Sequence, residues 1–219
     1  MEKNTMKKEI EITVPNDWSA VTLTQYLALQ KDLKTYGDEE EARIACLFHH
    51  LCNFPPAMIS KIDTETFTKI KNDLAKFIGN TEIPLQRFIT INGVKYGFEP
   101  NLSKMSYGAY LDITKYDDLS IDTNWANAMS ILYRPVTKEV GKLYDIEPYD
   151  GTLNPEPFYD ITMDVHLGTL FFFINLLKDL ASYTLKSMTD MEEIPQDIKS
   201  ILEKSGNLTL QSFNLRTTI

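Results

Sequence analysis

The stretch FYDITMDVHLGTLFFFINLLKDLASYTL, residues 158–185, decides the fold of this chain. Its centre, residues 167–177, is apolar at nearly every position, which indicates a helix buried on most sides. At ~100° per residue, a narrow hydrophilic stripe runs along the same helix. This stripe, called the seam below, consists of Asp164, Gly168, Asn175, Asp179, Ser182 and Lys186, with Phe171 among them.

A core helix with one hydrophilic side predicts how its neighbours pack. We expect the helix that contains Trp125 and Met129, together with part of the N-terminal region, to enclose it and to leave the seam facing outward. Gly168 has no side chain, so another backbone could come close there. Phe171 is either covered by residues 208–219, which is the interpretation we favour, or exposed as an anchor for a partner.

The N-terminal third predicts a helical unit that follows a short edge strand at residues 9–14. Thr22 and Gln25 form a capping box at the start of the first helix, and Gly37 ends it. A second helix begins within residues 38–41, and the third runs from an Asp63 cap to Gly79.

The middle of the chain changes to a period of two. RFITI and VKYGF flank Asn92-Gly93, which predicts a hairpin with both turn residues at positive φ. Residues 104–116 are predicted to be helical. The following helix is predicted to start at Asp122 or Thr123 and to stop at Pro135.

A second hairpin is predicted around Gly141, followed by a loop at residues 150–157 and, after the long helix, a last short helix at 195–206. The predicted fold class is mainly α with small β-hairpins (α+β), a compact helical protein around one long buried helix. Residues 1–80 would form the N-terminal strand plus three-helix unit. Residues 81–206 would form the hairpin and helical core region, and residues 207–219 a C-terminal tail.

Composition argues against several classes of function, although it leaves room for a small local basic patch. The 22 basic and 31 acidic residues give a net charge of −9, which argues against a nucleic-acid partner because such a surface needs basic residues. The apolar centre of the long helix is about eleven residues, short of the ~20 that span a bilayer, so no membrane partner is expected. Cys46 and Cys52 point apart on one helix, and the N-terminus shows no signal peptide, which favours a reducing compartment.

The residues that could bind a metal or act in catalysis do not form a recognisable metal site or catalytic site in the sequence. Of Cys46, His49, His50 and Cys52, only Cys46 and His50 share a helix face, and two ligands do not make a zinc site. His166 near Asp164 begins an apolar run with no nucleophile, which predicts a core histidine. No phosphate-binding, dinucleotide-binding or nucleophile-elbow motif occurs in the sequence. We therefore expect no catalytic residue, metal or cofactor.

Aromatic residues concentrate in the middle third of the chain. They are Tyr107, Tyr110, Tyr116, Trp125, Tyr133, Tyr144, Tyr149, Phe158 and Tyr159. Each is either core or an interface anchor, since buried Tyr, Trp and Arg carry much of the binding energy at interfaces. The candidate partner-interface residues are Phe171, Gly168, Asp164, Asn175, Tyr133 and Arg134.

Three runs of the sequence resemble a known group of proteins. They are LSKMSYGAYLDITKY, WANAMSILYRPVTKEVGKLYDIEPYDG and FYDITMDVHLGTLFFFINLLKDL. These runs, within residues 102–183, resemble small structural and assembly proteins of tailed bacteriophages, most of all those of crAss-like phages. The most telling pieces are Tyr107-Gly108 with Leu111-Asp112, the block ILYRP at residues 131–135, and Gly168 before the phenylalanines.

The resemblance implies a non-enzymatic protein of a phage particle, either a tail or connector component or a packaged cargo protein. It would reside in the virion, and in the host cytoplasm during assembly, with other phage structural proteins or further copies of itself as partners. A tail or baseplate assembly chaperone, absent from the mature virion, is a second hypothesis, since TLTQYLALQKDL at residues 22–33 is similar to such chaperones. A small enzyme with an unrecognised site is a third.

Overall fold

Residues 12–37, 39–80, 82–116 and 120–187 are described by the computed structural model of the chain. Three helices come first: α1 (Leu23–Tyr36), α2 (Glu40–Cys52) and α3 (Thr64–Gly79). Their ends confirm the predicted signals. Thr22 and Gln25 form the capping box, and Gly37 follows α1 at a φ of 59°. The Asp63 side chain accepts a hydrogen bond from the amide of Thr66.

A four-stranded antiparallel sheet follows, with strands in the order of the chain: β1 (Phe88–Ile91), β2 (Val94–Phe98), β3 (Tyr133–Val140) and β4 (Leu143–Ile146). The first hairpin is confirmed, because Ile91 pairs with Val94 and the turn residues Asn92 and Gly93 have φ of 51° and 80°. The second hairpin is also confirmed, with Gly141 at a φ of 61° in its turn.

Two short helices, α4 (Tyr107–Thr114) and α5 (Trp125–Leu132), lie between β2 and β3. The predicted helix at 104–116 is thus shorter than expected. Asn124, rather than Asp122 or Thr123, is the residue that precedes α5. The last described helix is the long one, α6 (Met163–Ser187). The α+β class predicted from the sequence is confirmed.

The prediction that Pro135 stops α5 is wrong. The helix ends at Leu132, and β3 begins at the next residue and includes Pro135. Pro135 stands opposite Tyr96 as the last pair that β3 makes with β2. Proline disfavours the helical region for the residue before it. Arg134 is accordingly extended, and β2 gives that extended backbone a hydrogen-bonding partner.

The predicted edge strand at residues 9–14 is wrong where it can be tested. Residues 12–14 form no strand, and residues 9–11 lie outside the described residues. Ile12 and Val14 instead pack, partly buried, against the core. Alternation of apolar residues is satisfied by this packing alone and does not require a strand partner. The predicted helix at 195–206 and the tail also lie outside the described residues.

The core is a single hydrophobic cluster that takes residues from all six helices except α4 and from β1, β2 and β3. At its base, α1 and α6 start side by side. The amide of Leu23 donates to the Ile161 carbonyl at 3.0 Å, and the amide of Met163 donates to the Val21 carbonyl at 2.7 Å. The predicted boundary at residues 80 and 81 stays a prediction, although this cluster extends across it.

Helix α6 supplies the centre of the core, as expected. Between Met163 and Ile174 most of its residues are buried, whereas Asn175, Asp179 and Ser182 are exposed. Residues 163–182 are long and apolar enough to cross a membrane by length and composition, but half of that window is buried inside the protein. Such burial is what the core helix of a globular protein requires.

The prediction that the whole seam faces outward is correct only towards the C-terminal end of α6. The backbone of residues 84–86, between α3 and β1, crosses the seam at Gly168, which is buried. A Cβ atom on Gly168 would lie 2.5 Å from the Pro84 carbonyl oxygen. The close backbone that glycine allows therefore belongs to the same chain. Towards its C-terminal end the seam does face solvent.

The close approach of the Pro84 backbone to Gly168 predicts how a methyl group added at Gly168 changes the stability of the protein. Replacing Gly168 by alanine should lower the free energy of unfolding by about 1–3 kcal/mol, because the Pro84 backbone has to move. Gly108→Ala is the matched control, since its Cβ would meet only a Tyr149 ring carbon at 3.9 Å. That variant should be neutral or gain up to ~1 kcal/mol from helix propensity. Urea unfolding measures both, and equal stabilities of the two variants would contradict the crossing.

Candidate protein-binding site

Helix α4 is held in place by a cap at its first turn and by buried and hydrogen-bonded side chains on one side. The Ser106 hydroxyl accepts a hydrogen bond from the Ala109 amide at 3.2 Å and caps the helix. Ala109 is fully buried. One turn later, the Tyr149 hydroxyl donates to Asp112 Oδ2 at 2.6 Å. These contacts hold a helix of only eight residues, which would be unstable on its own.

The hydrogen bond between Tyr149 and Asp112 joins a neutral phenol to an ionised carboxylate. Hydrogen bonds from Lys115 and then from Tyr149 lower the pKa of Asp112 below its usual value. Burial, followed by the hydrogen bond to Asp112, raises the pKa of Tyr149 to about 12. At neutral pH a phenol therefore donates to a carboxylate, and such charge-assisted bonds are stronger than neutral ones.

The opposite side of α4 presents large apolar side chains to solvent. Tyr107 is 75% exposed, Tyr110 55% and Leu111 43%. Their spacing of i, i+3 and i+4 puts them on one helix face, called the α4 face below. Two exposed tyrosines and an exposed leucine on one helix face are unusual for a surface that faces only water.

A groove begins where the α4 face ends. Thr114, one turn beyond Tyr110 and Leu111, is one of its lining residues. The groove has a volume of about 510 Å³ and lies between the end of α4, α5 and α6, with Ile113, Tyr116, Trp125, Leu132 and Phe173 among its lining residues. The α4 face and this groove together make the candidate site.

The six predicted interface residues lie mostly elsewhere. Phe171 is only 8% exposed and Tyr133 only 1%, and Gly168 is buried under Pro84. These three residues are therefore buried in the chain itself, and their role in a partner interface stays a prediction. Residues 208–219, which we expected to cover Phe171, lie outside the described residues.

Tyr133 and Asp164 hold the chain segment that crosses the seam. The Tyr133 hydroxyl donates to the Gln86 carbonyl at 2.6 Å. The Gln86 side-chain amide donates to Asp164 Oδ2 at 2.5 Å, and the Thr162 hydroxyl donates to Asp164 Oδ1. Half-buried Asp164 is thus occupied within the chain. Of the predicted seam residues in the interface, only Asn175 is exposed.

Arg134 is mostly buried beside the sheet. Its Nη2 atom lies 2.5 Å from Glu99 Oε2, and the two side chains are only 12% and 9% exposed. Its Cζ atom lies 5.9 Å from the centre of the Tyr149 ring. Within the described residues, its Nε and Nη1 atoms have no hydrogen-bond partner. Arg134 therefore stabilises the join between β3 and β2 rather than forming part of the exposed α4 face.

The histidines and cysteines are placed without a shared site. His50 Nε2 lies 2.7 Å from Asp32 Oδ2, while Cys46 and Cys52 are buried free thiols. Burial raises the pKa of both thiols. Among the described residues, no group of three or more His, Cys, Asp and Glu side chains converges. The absence of a metal stays a prediction.

His166 is a core histidine, as the sequence predicted. It is fully buried, and the Trp125 indole N–H donates to its Nδ1 at 3.2 Å. Because Nδ1 accepts, the proton of the neutral ring is on Nε2, which lies 3.1 Å from the Phe158 carbonyl oxygen. Burial lowers the pKa of His166 to about 4. The ring joins α5 to α6 and has no catalytic partner among these contacts.

Comparison of the chain with known protein families, curated proteins and solved structures finds no significant match. The resemblance to phage proteins therefore stays a prediction.

The six predicted interface residues do not include Tyr107 and Tyr110, although both belong to the group of aromatic residues in the middle third of the chain. Helical periodicity could have found them, because buried Ala109 and half-buried Ile113 share the opposite face.

The histidine pKa predicts a pH dependence of stability. The unfolded imidazole binds a proton below about pH 6.5, but the folded one stays neutral down to about pH 4. Protonation therefore favours the unfolded state as the pH falls through this window. The free energy of unfolding should fall by up to about 1.4 kcal/mol per pH unit there.

The matched variant is His166→Gln, which keeps an acceptor for Trp125 but does not titrate. Urea unfolding between pH 7 and pH 4 should show a steeper loss of stability for the unchanged chain than for this variant. Parallel curves would show that His166 does not titrate differently in the folded and unfolded states.

Proposed function

We propose that this chain is a non-enzymatic protein of a tailed bacteriophage particle, a tail or connector component or a packaged cargo protein, that acts through protein–protein contacts. The observation that carries the proposal is the α4 face, where Tyr107, Tyr110 and Leu111 are exposed together. The phage context comes from the sequence resemblance, whose first run contains these three residues.

The chemistry of the α4 face supports binding to a protein. Tyrosine supplies a large contact area with few rotatable bonds, and its hydroxyl can still hydrogen-bond when the ring is buried. Ala109 and Asp112 already anchor the helix. Little ordering of the backbone is therefore needed on binding, and ordering costs affinity.

The partner proposed here is another structural protein of the particle. Its surface would offer an apolar pocket for a tyrosine ring and hydrogen-bonding groups for the hydroxyls. The net charge of −9 favours a partner with basic residues around that pocket, because complementary charge speeds association and excludes wrong partners.

Particle composition tests the proposal. In virions of the phage that encodes the chain, mass spectrometry should find the protein at a fixed number of copies per particle. If the protein is made in infected cells but is absent from purified virions, the particle proposal is wrong and the assembly-chaperone hypothesis replaces it.

The α4 face makes a sharper prediction. Tyr107→Ala should reduce incorporation into particles at least tenfold, as expected for an interface anchor worth about 1.4 kcal/mol or more. Its thermal midpoint should stay nearly unchanged, because the ring is mostly exposed in the free chain. Incorporation is measured by quantitative mass spectrometry of purified particles and stability by thermal unfolding.

Tyr36→Ala is the matched control, since Tyr36 is an exposed tyrosine at the end of α1, 49% exposed. That variant should be incorporated normally. Equal loss for both variants, or a large drop in thermal midpoint for Tyr107→Ala, would contradict a binding role for the α4 face.

A further inference from the structure

Strand β1 forms one edge of the sheet, because the strand order starts with β1 and, among the described residues, only β2 pairs with it. The amide of Phe98 on β2 donates to the Arg87 carbonyl at 2.8 Å. In an antiparallel ladder, alternate residues turn their peptide groups towards the partner strand. The amides and carbonyls of Phe88 and Thr90 therefore point away from β2, towards the open edge.

A groove lies beside this edge and is called the β1 groove below. Its volume is about 420 Å³, and its lining residues include Phe88, Ile89 and Thr90 from β1 and Ile161 and Val165 from the start of α6. Ligand-binding clefts commonly have volumes of about 300–1,000 Å³. An open strand edge next to a groove is the arrangement in which an extended segment of another protein adds as a further strand.

The two sides of the β1 groove are fixed by hydrogen bonds within the chain. Strand β1 is paired along its length with β2, and the Gln86 carbonyl before it accepts from the Tyr133 hydroxyl at 2.6 Å. On the other side, the Ile161 carbonyl accepts from the Leu23 amide at 3.0 Å. Little ordering of this backbone is needed on binding, and ordering costs affinity.

Side chains alternate between the two faces of a strand, so the two faces of an added strand would meet different surroundings. On the first face, Ile89 is buried, and Val165 on α6 is buried as well. This face favours apolar side chains. On the second face, Thr90 is exposed and stands opposite Lys95 of β2, which is also exposed.

Lys95 gives the second face a positive charge. It is the one charged residue among the described lining residues of the β1 groove, although the net charge of the chain is −9. Its Nζ atom lies 2.6 Å from Glu139 Oε2, and the two side chains are 44% and 42% exposed. An ammonium group has three N–H donors, so Lys95 can donate to a second carboxylate. The charge on this face favours acidic side chains.

We propose that the β1 groove binds an extended segment of a partner protein, in which apolar residues alternate with acidic ones. The segment adds to β1 as a further strand and bonds to the peptide groups of Phe88 and Thr90. Its apolar side chains lie over Ile89 and Val165, and its acidic side chains lie beside Lys95. The β1 groove shares no residue with the α4 face, so the two surfaces are tested separately.

Backbone-methylated peptides test the proposal on the full-length chain. The probe is a blocked six-residue peptide of alternating valine and glutamate, and fluorescence anisotropy measures its binding. Methylating the amides of all valines, or of all glutamates, removes one alternate set of donors. Only one set of an added strand faces β1, so one methylated peptide should bind about tenfold more weakly and the other should bind normally. Equal binding of the two methylated peptides, or no binding of the unmethylated one, would overturn the proposal.

A proline variant tests the strand edge from the protein side. Thr90→Pro removes the outward amide of Thr90 and should weaken binding of the probe about tenfold. Its thermal midpoint should stay nearly unchanged, because proline is tolerated in an edge strand where its missing donor faces solvent. Thr90→Val is the matched control, since it keeps the amide. Equal affinity of the two variants would contradict the proposal, and the methylated peptides decide it if Thr90→Pro does not fold.

The charge preference is measured with a second peptide that has lysine in place of glutamate. At physiological salt, which screens distant charges, the unchanged chain should bind the glutamate peptide roughly two- to fivefold more tightly, as expected for an exposed ion pair. Lys95→Gln should remove this preference. Equal binding of both peptides to the unchanged chain, or a preference that survives in Lys95→Gln, would contradict the acidic character proposed for the partner segment.

Discussion

The contact between residues 84–86 and Gly168 is the constraint on which the rest of the structure depends. It brings the link between α3 and β1 across the central helix so closely that a Cβ atom on Gly168 would lie 2.5 Å from the Pro84 carbonyl oxygen. Tyr133 at the start of β3 then holds the same segment through the Gln86 carbonyl, and Asp164 holds the Gln86 side chain. This crossing, together with the backbone hydrogen bonds between the starts of α1 and α6, holds the N-terminal helices and the sheet against α6.

This crossing explains why the seam misled sequence interpretation. A helix side that receives another backbone needs small and hydrogen-bonding residues, just as a side that faces water does. Gly168 and Asp164 serve the first purpose, and Asn175 and Asp179 serve the second. Periodicity records only that the positions are not apolar, so it cannot separate the two causes. Phe171 within the stripe was the one residue that pointed to burial.

Local chemistry was predictable and long-range pairing was not. The caps at Thr22 and Asp63 and the Asn92-Gly93 turn depend on neighbours within a few residues, which the sequence displays directly. The start of β3 depends on β2, more than 30 residues earlier in the chain. From the sequence alone Pro135 therefore predicts the end of a helix, although it only favours an extended conformation of the residue before it.

The candidate site also depends on long-range contacts that the sequence does not display. The exposure of Tyr107 depends on how α4 is docked, and docking depends on Tyr149, which lies far along the chain. Neighbouring residues of the helix take opposite roles: Leu111 is exposed, while Asp112 accepts the Tyr149 hydroxyl. Because the anchoring and exposed side chains are separate, we expect a change on the α4 face to leave the fold intact. The core residues of α6 lack this freedom, since changes there disturb close packing.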